Sequence, residues 1–107
     1  LKDIISPNEQ RPLTADFIIE VVAEHFNLTV ADLKSSKRNS EITVPRQIAM
    51  YLCRTMIDIP LKSIGIILGG RDHSTINHGV DKIRQELTEN DTLNNTVDII
   101  KKKLNPI

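Results

Sequence analysis

The chain has no Trp, one Tyr and two Phe, so aromatic side chains make up only 3% of its 107 residues. A β-sandwich would draw on aromatic and β-branched residues at regular spacing, and that supply is missing. A single cysteine, Cys53, excludes an intramolecular disulfide and gives no sign of an oxidising compartment. No apolar run approaches the ~18 residues of a membrane span and no signal-like segment is present. A cytoplasmic chain without membrane insertion is therefore expected. Net charge is also absent: 14 basic residues balance 14 acidic ones, which argues neither for nor against nucleic acid.

With 39% hydrophobic residues, mostly aliphatic, the chain can build one small core, and an all-α domain of packed helices is the expectation. The charges are unevenly spread. Residues 1–29 carry 2 basic and 5 acidic groups, residues 30–82 carry 8 and 5, and residues 83–107 carry 4 and 4. The basic surplus lies in the middle.

That middle contains PLKSIGIILGGRDHSTINHGVDK, residues 60–82, which reads as a helix-turn-helix. Leu61, Ile64, Ile67 and Leu68 recur at helical spacing, and Gly69 and Gly70 supply the positive φ that ends a helix. Asp72 is expected to cap the next helix by accepting from the N–H groups two and three residues on. Ile76, Val80, Ile83 and Leu87 then form its apolar stripe, out to about Asn90. At about 100° per residue, Arg71, Thr75, His78 and Lys82 fall on the opposite face, with Ser74 at its edge. Asp72, His73 and Ser74 occupy the first turn, the part of a recognition helix that meets base edges in the major groove.

GGRDHST, followed by an aliphatic residue and with His78 three positions after Thr75, resembles the signature of the bacterial chromosomal replication initiators, the DnaA family. The likeness is to their C-terminal DNA-binding domain and extends from about Thr14 to the end. It implies about six helices built around the helix-turn-helix. It also implies sequence-specific binding of double-stranded DNA at short asymmetric boxes in origins and promoters, one monomer per box. ATP would belong to a missing upstream domain, so no cofactor is expected in this fragment. Residues 1–13, with Pro7, Asn8 and Pro12, read as a linker from that domain, and residues 14–107 as the DNA-binding domain.

Thr14 is placed to cap a first helix running to about Phe26, with Phe17, Ile18, Val21, Val22 and His25 on one face. The family links this helix to acidic phospholipid, yet here it carries Asp16, Glu20 and Glu24 and no Lys or Arg, so core packing is the better reading. Thr29 begins a short helix over 30–34. SSKRNSEIT, residues 35–43, has the composition of an exposed loop. The loop is read either as a solvated basic segment or as an arm entering a narrow, A·T-rich minor groove. The resemblance favours the arm and puts Arg38 in the groove, with Lys37 on phosphate. Ser40 stands where the family commonly has a second Arg, and Glu41 adds negative charge, so phosphate affinity should be weaker.

Pro45 is expected in the first turn of a third helix whose Ile48, Ala49, Leu52, Cys53 and Met56 face the core. Arg46, Met50 and Arg54 fall on another face. PRQIAMYL resembles the family segment used against phosphate, and Arg46 and Gln47 near a helix N-terminus suit that role. Arg54 reads as merely solvated. Asp91 is expected to cap a last helix bearing Leu93, Val97, Ile100 and Leu104, and Lys101–Lys103 suit its C-terminal dipole.

GIILGGR lacks the Gly-Lys-Ser/Thr of a phosphate loop, so no nucleotide site is assigned. His73 and His78 are five apart, not the four that align two metal ligands on a helix, and Asp72, Asp81 and Glu86 make no convincing magnesium site. No metal and no catalytic residue is expected. The site as read comprises Arg38, Asp72, His73, Ser74 and Thr75 on bases, and Lys37, Arg46, Gln47, Arg71, His78 and Lys82 on phosphates. The rivals are a dimeric helix-turn-helix regulator and a helical protein-interaction module.

Overall fold

Thr14 opens the first helix as its spacing predicts: the hydroxyl accepts from the Phe17 N–H at 3.1 Å, and α1 runs Ala15–His25. The computed structural model describes residues 13–105, among which there are six helices and no strand. Of the linker read into residues 1–13, residues 1–12 lie outside the described residues, and Leu13, its last, packs partly against the core. α2, Val30–Lys34, is framed by a reciprocal capping box in which Thr29 and Asp32 each accept from the other's backbone N–H. The Thr29 backbone N–H first, then the Thr29 hydroxyl, hold the Asp32 carboxyl below its usual range, with Lys37 adding to the effect.

α3 spans Ser40–Met56, so it starts five residues before the expected Pro45. Pro45 sits inside the helix and removes one backbone donor. Burial of Ile42, 5% exposed, compensates for this and draws a polar, loop-like stretch into helix. The exposed loop shrinks to residues 35–39. The new start also rotates the expected faces: Met50 is buried with the core, and Arg46 with it. Arg54 is not simply solvated, since it pairs with Asp58 at 3.1 Å and donates to the Ile59 carbonyl at 3.2 Å, holding the turn into the next helix.

α4 (Leu61–Ile67) and α5 (His73–Leu87) form the helix-turn-helix. Between them Gly69 and Gly70 take φ values of 90° and 82°, and the Gly70 and Arg71 N–H groups both donate to the Gly65 carbonyl. A Cβ at Gly69 would stand 2.3 Å from the Lys34 carbonyl oxygen, so the turn can approach the end of α2 only with glycine there. α5 ends at Leu87, earlier than expected, because Asn90 and not Asp91 caps α6 (Asp91–Leu104), accepting from the Leu93 N–H at 3.0 Å. α3 packs against α1, α2, α4 and α5, and α6 closes over α1 and α5. The core is aliphatic, with Ile18, Val22, Leu33, Ile48, Leu52, Ile64, Ile76 and Ile100 all essentially inaccessible. Among the described residues no helix is long and apolar enough to cross a membrane.

Candidate nucleic-acid interface

α5 buries Ile76, Gly79, Val80 and Ile83 and leaves Thr75, His78 and Lys82 exposed, as its periodicity predicts. Its first turn protrudes: the side chains of Asp72 and His73 are 67% and 69% exposed. Asp72 departs from expectation. Its backbone carbonyl accepts from the Thr75 and Ile76 N–H groups, but its carboxylate caps no backbone N–H. The carboxylate instead accepts from the Ser74 hydroxyl at 2.5 Å, with His73 Nδ1 3.4 Å away. The Ser74 hydroxyl first, then the His73 charge and, least, the nearby His73 and Ser74 backbone N–H groups keep the Asp72 carboxyl below its usual range, although none of those N–H groups makes a cap hydrogen bond to it. Asp72, His73 and Ser74 thus form one polar cluster on the tip of the helix.

Beside α5 lies an open groove of about 780 Å³, lined by the last residue of α2, the loop that follows it, the start of α3, the glycine turn and α5. It brings together Arg38, Arg46, Arg71, Thr75 and His78. Lys37, Gln47, Asp72, His73, Ser74 and Lys82 lie outside its lining. Lys37 is exposed and reaches back to Asp32 at 3.6 Å. Gln47 is half-buried at the crossing of α3 and α5, and its Oε1 has no hydrogen-bond partner.

Arg46 is the main correction. It is in the second turn of α3 rather than the first, and it is 5% exposed. Nε donates to the Leu33 carbonyl at 2.7 Å, Nη1 to Lys37 at 3.0 Å, and Nη2 to Ser35 at 2.9 Å and Asp32 at 3.4 Å. Of the five N–H donors of a guanidinium, that leaves one for a phosphate. Arg71 precedes α5, as a cap at Asp72 requires, and its guanidinium folds back to the carbonyls of Leu68, Lys34 and Ser35. Burial lowers both guanidinium pKa values from their ordinary range, and the charge of Arg71 lowers that of Arg46 further, yet both remain cations at neutral pH. Among the described residues neither has a carboxylate at ion-pair distance.

The lining includes Lys34, Ser35, Ser36 and Thr43, which the sequence reading did not assign to the site. The Thr43 hydroxyl is buried without a hydrogen-bond partner. Only the position of Thr43 on the first turn of α3 would have identified it, and that turn read as loop. The described residues contain no group of His, Cys, Asp and Glu able to hold a metal ion.

A family model described as the bacterial dnaA protein helix-turn-helix matches residues 15–83. The chain is 45% identical over 106 residues to the chromosomal replication initiator protein DnaA of Lachnoclostridium phytofermentans, a match that covers 99% of this chain and 23% of that protein. A crystal structure of a DNA replication initiation factor superposes with a TM-score of 0.75 at 30% identity, covering 84% of this chain and 27% of that one. The chain thus spans about a quarter of the length of these relatives. Residues 15–83 hold α1 to α4, most of α5 and every side chain that lines the groove, and on these matches the chain belongs to the bacterial DnaA helix-turn-helix family.

Proposed function

We propose that this chain is a sequence-specific binder of double-stranded DNA, recognising short asymmetric boxes in origins and promoters as the DNA-anchoring part of a larger ATP-binding replication initiator. The observation that carries the reading is the groove in which Arg38, Arg46 and Arg71 converge beside the exposed tip of α5. With Lys34, four cations line one concave surface there, which suits a polyanion.

In this reading the first turn of α5 enters the major groove. Asp72 accepts from an exocyclic amino group, His73 and Thr75 meet base edges, and Ser74 contributes its hydroxyl. Arg38 enters the adjacent minor groove. Lys37, His78 and Lys82 take phosphates directly, and Gln47 supports them from α3. Arg46 and Arg71 contribute charge to the groove, with few donors to spare. The chain acts by binding rather than catalysis, in the cytoplasm at the nucleoid.

Titration against defined duplexes tests it. One chain per asymmetric box, with affinity falling as salt rises from about 50 to 200 mM, is the expected result. Two chains per palindrome would instead indicate a dimeric regulator, and binding indifferent to salt would indicate a protein-interaction module.

A further inference from the structure

Ser35 to Asn39 is the loop that carries Arg38, and within itself it has little to hold it. The Ser35 hydroxyl donates to the Asp32 carbonyl and accepts from the Lys37 N–H at 3.3 Å, while Ser36 to Asn39 are exposed. What fixes the loop comes from outside it. Arg46, from α3, takes the carbonyls of Ser35 and Lys37, on either side of Ser36 and immediately before Arg38. Arg71, from the helix-turn-helix, takes the carbonyl of Ser35 with one arm of its fork and that of Leu68 with the other. The Ser35 oxygen is therefore shared by two guanidiniums, and Arg71 ties it across 36 residues of sequence to the turn that precedes His73.

From this arrangement we infer that Arg71, with Arg46 behind it, is a positioning residue that locks the minor-groove arm to the recognition helix, so that Arg38 and His73 engage DNA as one unit. The inference rests on the DNA reading above. A planar fork that satisfies carbonyls on two different segments fixes their separation, and a lysine ammonium on a flexible stem does not. An arm already held in place has less freedom to lose on binding than a free one. Coupling through such a link is reciprocal: weakening either reader weakens the hold of the other.

The test uses the native chain, Arg71→Lys, and the Arg38→Ala by His73→Ala cycle in each background. Without DNA, backbone order parameters at Lys37 and Arg38 should drop in Arg71→Lys while those of α5 stay unchanged, with the melting temperature recorded alongside. On a box duplex with an A·T-rich flank, the native cycle should show coupling on the order of 10-fold, and Arg71→Lys should reduce it to near unity. Unchanged order parameters overturn the lock whether or not DNA binds. Coupling of equal size in both backgrounds overturns the role of Arg71. Arg38 and His73 are exposed, so the native cycle stands even if Arg71→Lys fails to fold, and strict additivity in it overturns the inference. A native chain that binds no duplex refutes the DNA reading itself, a result distinct from these.

Discussion

Gly79 and Met50 meet where α5 crosses α3: a Cβ on Gly79 would lie 2.5 Å from the Met50 sulfur and 3.3 Å from Cγ of Gln47. Met50 is 2% exposed, so it has little room to swing aside. Alanine would ordinarily stabilise a helix interior by about 1 kcal/mol over glycine, but forcing extra atoms into a packed crossing costs roughly 1–3 kcal/mol. Gly79→Ala should therefore lower stability by up to about 2 kcal/mol, read as a lower denaturant midpoint at unchanged slope. A midpoint at or above native would mean that the crossing is looser than described.

The ends of α1 and α6 give the fold a pH dependence. His25 Nδ1 stands 2.9 Å from Lys103 Nζ, and burial first, then the lysine charge, lowers the His25 pKa from its ordinary value near 6.5. A histidine lowered in the folded state favours folding fully above the unfolded value, and that contribution is lost as pH falls below about 6.5 towards the folded value. The melting temperature should decline over that window, and His25→Gln should flatten the decline. Parallel curves for the two proteins would remove His25 from the account.

Asp72 can be separated into its two expected roles. Since its carboxylate forms no cap hydrogen bond and meets the His73 and Ser74 N–H groups only as minor contacts, Asp72→Ala should cost less stability than the ~1 kcal/mol of a working cap while still weakening binding to the box. Circular dichroism melts beside a titration decide this. A marked loss of stability would restore the helix-capping role.

The tip of α5 and the glycine turn were legible in the sequence because local chemistry and tertiary structure agree there. Gly69 and Gly70 do take positive φ, and Ile76, Val80 and Ile83 do face the core. The start of α3 was not legible, since SSKRNSEIT has loop composition and only the burial of Ile42 makes its second half helical. That single displacement hid the place of Arg46. Counted from Ser40, Arg46 lies four residues from Ile42 and four from Met50, inside the apolar stripe. Its carbonyl partners come from α2 and the loop, 9 to 14 residues away, and no helical pattern reports them. The exchange of Asp72 capping for a Ser74 hydrogen bond was equally invisible, because either partner satisfies the same carboxylate.

The arm has its own signature. Arg38→Ala should weaken binding most on sites with an A·T-rich flank, where the narrow minor groove concentrates negative potential, and least on scrambled DNA. Equal losses on both duplexes would reduce Arg38 to a generic phosphate contact.

The reading of sequence by the tip of α5 depends on side chains such as His73, which is 69% exposed there. Competition titration of native and His73→Ala chains against box and scrambled duplexes, at one salt concentration, tests it most directly. The expected loss is roughly 1–3 kcal/mol on the box and much less on scrambled DNA. Equal loss on both duplexes, with the fold intact, would contradict it.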